Sequence, residues 1–218
     1  MRIALFGTSA DPPTVGHQEI LIGLAQQFDQ VWVWASDNPF KQHGADLEVR
    51  STMLNLIVAE ANDRLRDCPR KTTGQTVPRR DAPTDPISLY PNLSDRYTIV
   101  TVERAQAQAT AQHLNATFTL VIGSDLVAQL PRWYRSQELL EQVQLLIVPR
   151  PGFPLHDRDL QALKALGTTV QVAQWQGLAV SSTAFREAGD PEPLTDLVYH
   201  FIRQHHLYPL LLELGSGS

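Results

Sequence analysis

Gly7-Thr8-Ser9-Ala10-Asp11-Pro12-Pro13-Thr14-Val15-Gly16-His17 decides how the chain is read. The apolar run Ile3-Ala4-Leu5-Phe6 precedes it. A helix beginning near Gly16 follows, with Ile20, Leu21, Leu24, Ala25 and Phe28 at helical spacing. A strand, a small-residue turn and a helix N-terminus make a place for an anion. Unpaired backbone N–H groups and the positive end of the helix dipole point there together. Gly7 and Ser9 allow close backbone approach, and Pro12 and Pro13 stiffen the path. His17 brings an imidazole donor to the first helical turn. Taken alone, such a turn serves equally well as a plain connection. The chain has neither G-x-x-x-x-G-K-[ST] nor G-x-G-x-x-G, so the general phosphate loops are excluded. Thr14-Val15-Gly16-His17 fits a different pattern, [HT]-x-G-H.

Working outward, 218 residues suit one large α/β domain, and 43% hydrophobic residues can fill its core without staples. The net charge of −5, with no basic tail, excludes an evident nucleic-acid surface. The single cysteine, Cys68, excludes an internal disulfide and suits a reducing compartment. No apolar stretch reaches membrane-spanning length, and the N-terminus opens directly into a strand. These features predict a soluble cytoplasmic protein with no membrane partner.

Val31-Trp32-Val33-Trp34-Ala35 reads as a parallel strand covered on both sides, leading into the polar loop Ser36 to Lys41. A helix is predicted from Glu48 to about Asp63, with Val49, Met53, Leu56 and Ile57 on one face. Prolines and basic residues then crowd 68–93, which predicts a flexible insertion, with Ile87-Ser88-Leu89 as a short strand within it. Its basic cluster reads as a solvated charge run before a lid. Further on, a helix is expected from Tyr97 to Leu114, a strand from Thr117 to Ile122, a short helix over 126–130, and a helix capped by Ser136. Strands over 144–148 and 168–173 flank a helix over 157–166 that ends at Gly167. Helices start at Ser181-Ser182-Thr183 and at Thr195, the latter with Leu197, Val198, Phe201 and Ile202 inward. Strands alternating with helices predict an α/β, Rossmann-like parallel sheet with helices on both faces: one domain over 1–208 with a tail over 209–218. His200, His205 and His206 spread around their helix and read as cations near its C-terminus rather than as a metal site.

Polar clusters fall at the predicted C-terminal ends of strands: 7–17, 36–41, 123–125 and 149–152. That edge is where doubly wound sheets bind ligands. Ser181, Ser182 and Thr183 open a helix whose amides and hydroxyls can cradle phosphate, with Arg186 one turn in. By itself this is an ordinary N-cap. Paired with [HT]-x-G-H at the other end of the chain, it points to nucleotide phosphates.

The [HT]-x-G-H stretch resembles the signature of the nucleotidyltransferase superfamily, and the order of the other motifs resembles bacterial, cyanobacterial-like nicotinate-nucleotide adenylyltransferase. Asn38-Pro39-Phe40-Lys41 resembles that family's basic loop after strand two, and Arg50 with Met53 its R-x-x-M helix. Tyr97-Thr98-Ile99 followed by Thr101 resembles its S-Y-T-x-x-T segment. Gly123-Ser124-Asp125 matches G-x-D, Trp133-Tyr134 matches the W-Y pair, and Arg150-Pro151-Gly152 with Ser181-Ser182-Thr183 completes the series. The family loop usually reads G-G-[ST]-F-D-P-x-H-x-G-H; here Thr8, Ala10 and Thr14 replace the second Gly, the Phe and the first His.

The resemblance implies adenylyl transfer from ATP to nicotinate mononucleotide, with Mg²⁺ entering on the triphosphate and no protein side chain holding it. It implies that His17, Lys41 and Arg186 are catalytic. ATP would be bound by Gly7, Thr8, Ser9, Thr14, Gly16, Gly123, Asp125, Ser181, Ser182 and Thr183. The pyridine mononucleotide would meet Lys41, Arg50, Thr98 and Trp133, with Trp133 stacked on the pyridine ring. A homo-oligomer is left open. Nicotinamide mononucleotide or phosphopantetheine as acceptor, and a non-catalytic nucleotide-binding module, remain as alternatives. Gly7-Thr8-Ser9-Ala10-Asp11 nearly matches the G-x-S-x-G of serine hydrolases, but Asp11 replaces the closing Gly and the prolines delay the helix.

Overall fold

The computed structural model describes residues 1–39, 41–66, 70–72, 75–77, 85–178, 180 and 182–208. The chain begins with β1 (Arg2–Thr8), α1 (Val15–Gln27), β2 (Gln30–Ala35) and α2 (Leu47–Arg66). A short antiparallel hairpin, β3 (Arg70–Thr72) and β4 (Gln75–Val77), precedes β5 (Ile87–Leu89). Next come α3 (Thr98–Ala111), β6 (Thr117–Gly123), α4 (Ser136–Gln142), β7 (Gln144–Val148), α5 (Asp157–Ala165) and β8 (Val170–Val172). Two helices, α6 (Ser182–Ala188) and α7 (Asp196–Gln204), close the described chain.

Among the described residues the main sheet has six strands in the order β5-β2-β1-β6-β7-β8, every pairing parallel. From β1 the chain first builds outward through β2 to β5, then returns to build through β6 and β7 to β8. The direction of winding therefore reverses between β1 and β6, which opens a crevice at their C-terminal ends. The apolar runs serve both faces by alternation. Ala4, Phe6, Val31, Val33 and Val148 face one core layer with Leu21, Met53, Ile57, Val198 and Ile202 of α1, α2 and α7. Ile3, Leu5, Trp32, Trp34 and Ile147 face the other with Ile99, Val102, Leu139 and Leu163 of α3, α4 and α5. Period-two side-chain direction makes each near-continuous run a two-sided strand.

Several expectations change. The last part of the 68–93 segment belongs to the sheet: Ile87–Leu89 is its edge strand, paired with Val31 to Val33, and Pro91–Leu93 forms a 3-10 turn. Asn62 of α2 anchors that strand, donating Nδ2 to the Ile87 carbonyl (2.9 Å) and accepting the Ile87 N–H on Oδ1 (3.2 Å). The expected short strand is thus held in the main sheet by a buried amide rather than lying in a flexible insertion. Arg79, Arg80, Cys68 and the tail from 209 lie outside the described residues.

The expected helix over 126–130 is instead two 3-10 turns, Ser124–Leu126 and Leu130–Arg132, since Pro131 brings no N–H to extend a helix. Ser136 is the first residue of α4 rather than its cap: Arg135 takes that place at φ 52, and the Ser136 hydroxyl donates to the Pro131 carbonyl at 3.0 Å. The last strand is shortened to Val170–Val172. In α7, Val198 and Ile202 point inward at i, i+4, whereas Leu197 is 47% exposed on the outer side.

Candidate active site

β1, β2, β6 and β7 all end at one edge of the sheet, and the loop after β1 lies in its crevice. Thr14 is the N-cap of α1. Its backbone N–H donates to Nδ1 of His17 (3.1 Å), and its hydroxyl meets the same nitrogen at 2.9 Å. A backbone N–H can only donate, so Nδ1 carries no proton and Nε2–H becomes the ring's donor. Burial, aided by the nearby Arg150 cation, pushes the His17 pKa down to about 4. His17 is therefore a neutral, oriented hydrogen-bond donor at physiological pH. Thr14, expected at the nucleotide, is only 1% exposed and is engaged in this cap instead.

The two glycines of the loop are explained by packing. A Cβ on Gly7 would come within 2.7 Å of the Trp34 indole, and one on Gly16 within 2.8 Å of Val180. Thr8 accepts the Ala10 N–H on its hydroxyl at 3.4 Å. Ser9 stays half-exposed at the crevice, and Lys41 reaches it from the loop after β2, Nζ to Oγ at 3.3 Å. That contact pairs the Ser9 hydroxyl with a cation rather than with a histidine base, so no hydrolase arrangement forms around it.

Arg50 departs from expectation. It is 2% exposed, and its guanidinium donates to the carbonyls of Ala45 (3.1 Å), Ser9 (2.7 Å) and Ser36 (3.0 Å). It binds the ends of β1 and β2 to the start of α2 and is taken up by the fold, not offered to a mononucleotide phosphate. Ser182 likewise gives its hydroxyl to the Pro12 carbonyl (2.7 Å), tying α6 to the loop. Thr183 is exposed and accepts from Arg186 at 3.3 Å. Arg186 also donates to the Asp11 carbonyl and lies 3.4 Å from its carboxylate. Ser181 and Phe40 lie outside the described residues.

A second group gathers at the ends of β6 and β7. Arg150 donates to Asp125 Oδ2 at 3.0 Å, while Asp125 Oδ1 is buried without a partner. Gly123 makes this fold-back possible, for a Cβ there would sit 2.3 Å from Asp125 Oδ1 and 2.9 Å from the Arg150 side chain. A buried carboxylate oxygen without a donor is one that an incoming hydroxyl, such as a ribose's, would satisfy. Ser124 braces the group, donating to the Phe153 carbonyl (2.8 Å) and accepting the Arg150 N–H (2.9 Å).

Thr98 begins α3, and Trp133 packs partly on the core beyond the second 3-10 turn. Their chain neighbours meet: the Tyr97 and Tyr134 rings lie tilted at 37° with centroids 4.4 Å apart, both partly in solvent. Sequence reasoning gave Asp11, Arg150, Tyr97 and Tyr134 no individual role. Asp11 had a signal, since a carboxylate in an anion loop is misplaced unless donors surround it. They do: Gly44 and Ala45 N–H groups and the Tyr208 hydroxyl all point at it. Among the described residues no group of three or more His, Cys, Asp or Glu side chains gathers to hold a metal.

Sheet order and loop place the chain in a known class, for the cytidylyltransferase-like family model matches residues 5–188. A Synechocystis protein named "Probable nicotinate-nucleotide adenylyltransferase" is 40% identical over 220 residues, spanning 95% of this chain and 99% of its own. Two structures of Plasmodium falciparum nicotinic acid mononucleotide adenylyltransferase, complexed with APC and with NaAD, superpose with a TM-score of 0.69 at 16% and 17% identity. Each covers 95% of this chain and 97% of its own, and at that identity the likeness is one of fold. The chain belongs to the nicotinate-nucleotide adenylyltransferases within the cytidylyltransferase-like family.

Proposed function

We infer that the chain transfers the adenylyl group of ATP to nicotinate mononucleotide, giving nicotinate adenine dinucleotide and pyrophosphate in NAD biosynthesis. The observation that carries this beyond family membership is His17, neutral and oriented at the helix terminus that faces the crevice. The 5′-phosphate of the mononucleotide attacks the α-phosphorus in line. A new P–O bond forms as the bond to the β-phosphate oxygen breaks, and pyrophosphate leaves with the electron pair. Such a step needs positioning and charge stabilisation rather than a protein nucleophile.

His17 Nε2–H donates to the α-phosphate oxygens as charge builds there. Lys41, Thr183 and Arg186 meet the β- and γ-phosphates, and Asp125 Oδ1 accepts a ribose hydroxyl. Trp133 stacks on the pyridine ring, and Thr98 meets its carboxylate. Arg50 and Thr14 act by holding the loop rather than by touching substrate. Mg²⁺ travels with ATP and neutralises triphosphate charge. The loop's own carboxylate fits that reading, because Asp11 already accepts two N–H groups and a hydroxyl. A cytoplasmic setting, suited to the single cysteine, belongs to the same reading.

The test is pyrophosphate release from ATP and Mg²⁺ with nicotinate mononucleotide, its amide, and phosphopantetheine in parallel. The acid is expected to be preferred, and His17→Ala to lower kcat by about 10²–10³, with a lower thermal midpoint because the Thr14 N–H loses its acceptor. Turnover with the amide or phosphopantetheine alone sinks the acceptor assignment. ATP binding without turnover of any acceptor makes the chain a binding module.

A further inference from the structure

Asp11 is 1% exposed and joins four segments distant in sequence. Its Oδ1 accepts the Tyr208 hydroxyl (2.7 Å) and the Ala45 N–H (3.2 Å), and its Oδ2 accepts the Gly44 N–H (2.8 Å). These three donors are neutral. The charged neighbour, Arg186, stands 3.4 Å from Oδ2, well beyond the 2.7–2.9 Å typical of a charge-assisted bond. His43 Nδ1 lies at 3.6 Å, and burial lowers its pKa, so it brings little charge to the group. The carboxylate is thus satisfied largely without drawing on Arg186, whose Nη1 is held by the Asp11 backbone carbonyl instead and whose Nη2 lies beside the exposed Thr183 hydroxyl.

The Tyr208 ring is seated independently of its hydroxyl. It fills a slot that exists because residue 44 is glycine, where a Cβ would come within 2.6 Å of the ring, and it meets Phe185 edge-on at 5.6 Å. A phenylalanine would pack the same slot. The hydroxyl is the part that packing does not explain, and its partner is the carboxylate of the phosphate loop.

We propose that Tyr208 is a positioning residue for the triphosphate, its hydroxyl satisfying Asp11 so that Arg186 is left for phosphate. This rests on the adenylyl-transfer reading. Without the hydroxyl, Oδ1 keeps only the longer Ala45 bond. A buried carboxylate short of a donor then draws the nearest cation inward, and ATP must compete with Asp11 for Arg186.

The experiment compares Tyr208→Phe with the wild-type chain in the full reaction. KM for ATP is expected to rise about five- to ten-fold, the size of one ordinary hydrogen bond, with KM for nicotinate mononucleotide within about two-fold. Because the effect runs through Arg186, Tyr208→Phe in an Arg186→Ala background is expected to change KM for ATP by less than about two-fold. Unchanged KM for ATP in Tyr208→Phe overturns the proposal. So do additive effects in the double variant, and so does a variant that fails to fold, which would make the hydroxyl a stability element. Equilibrium binding of a non-hydrolysable ATP analogue is measured alongside. A wild-type chain that binds the analogue but turns over no acceptor refutes the functional reading. The ratio of the two dissociation constants, wild type against Tyr208→Phe, then still decides this one. A wild-type chain that does not bind the analogue refutes both.

Discussion

At the scale of single residues, the site depends on partners that fix charge. His17 is the case with a measurable pH signature. Its pKa is about 4 in the folded chain against an ordinary 6.5. Between those values the unfolded chain binds more protons than the folded one, so stability rises with pH through the window and falls as pH drops from 6.5 toward 4. The ceiling for one such group is about 1.4 kcal/mol per pH unit. His17→Asn keeps an acceptor for the Thr14 N–H but cannot titrate. Thermal unfolding of the variant from pH 4 to 6.5 is therefore expected to show a shallower loss than wild type; parallel curves would mean that His17 is not held neutral. Arg50 teaches the complementary lesson. A cation on a helix beside an anion loop reads the same in sequence whether it meets phosphate or backbone. What separates the cases is that two carbonyls at strand ends, Ser9 and Ser36, and one just before α2, Ala45, converge on it. Asp11 carried a signal as a carboxylate in an anion loop, but its donors were not legible, because they come from residues 44, 45 and 208.

At the scale of elements, legibility followed the length of the apolar pattern. β7 falls on the predicted 144–148, and β1 and β2 lie where their apolar runs do. α1 starts within a residue of its predicted start. β5 is three residues long between prolines; Ile87-Ser88-Leu89 was legible as a short strand, but with only Ile87 buried nothing in its pattern assigned it to the main sheet. It is a strand because Val31 and Tyr90 bond across to Pro86 and Val33, and because Asn62 meets both polar groups of Ile87. Asn62 is 4% exposed and acts as a substitute for a further strand. Asn62→Ala leaves a buried N–H and a buried carbonyl without partners, so a loss of about 2–4 kcal/mol is expected in chemical denaturation. Amide exchange at Ile87 should rise with it. A loss below about 0.5 kcal/mol would show that water replaces the amide and that the strand needs no such anchor.

At the scale of the whole molecule, the crevice divides the work between two halves of the sheet. The groups assigned to ATP lie on α1 and α6 and after β6, with Lys41 reaching in from the loop after β2. Thr98 is carried differently. β5 runs into the 91–93 turn, Ser94 donates to the Ala35 carbonyl at 2.8 Å, and α3 begins four residues later. Thr98, proposed for the acceptor, thus rests on the edge of the sheet that Asn62 holds, whereas Trp133 follows β6. Two strands separate that edge from the switch between β1 and β6. Loosening the edge should therefore weaken one substrate and spare the other. A non-hydrolysable ATP analogue at one hundred times its dissociation constant stabilises a folded chain by about 2.7 kcal/mol, or roughly 5–11 °C at this size. Asn62→Ala is expected to keep that shift, from its own lower midpoint, while KM for nicotinate mononucleotide rises several-fold. Loss of the nucleotide shift in the variant would mean that the edge strand and the phosphate loop move as one body. The sheet order would then not separate the two binding tasks.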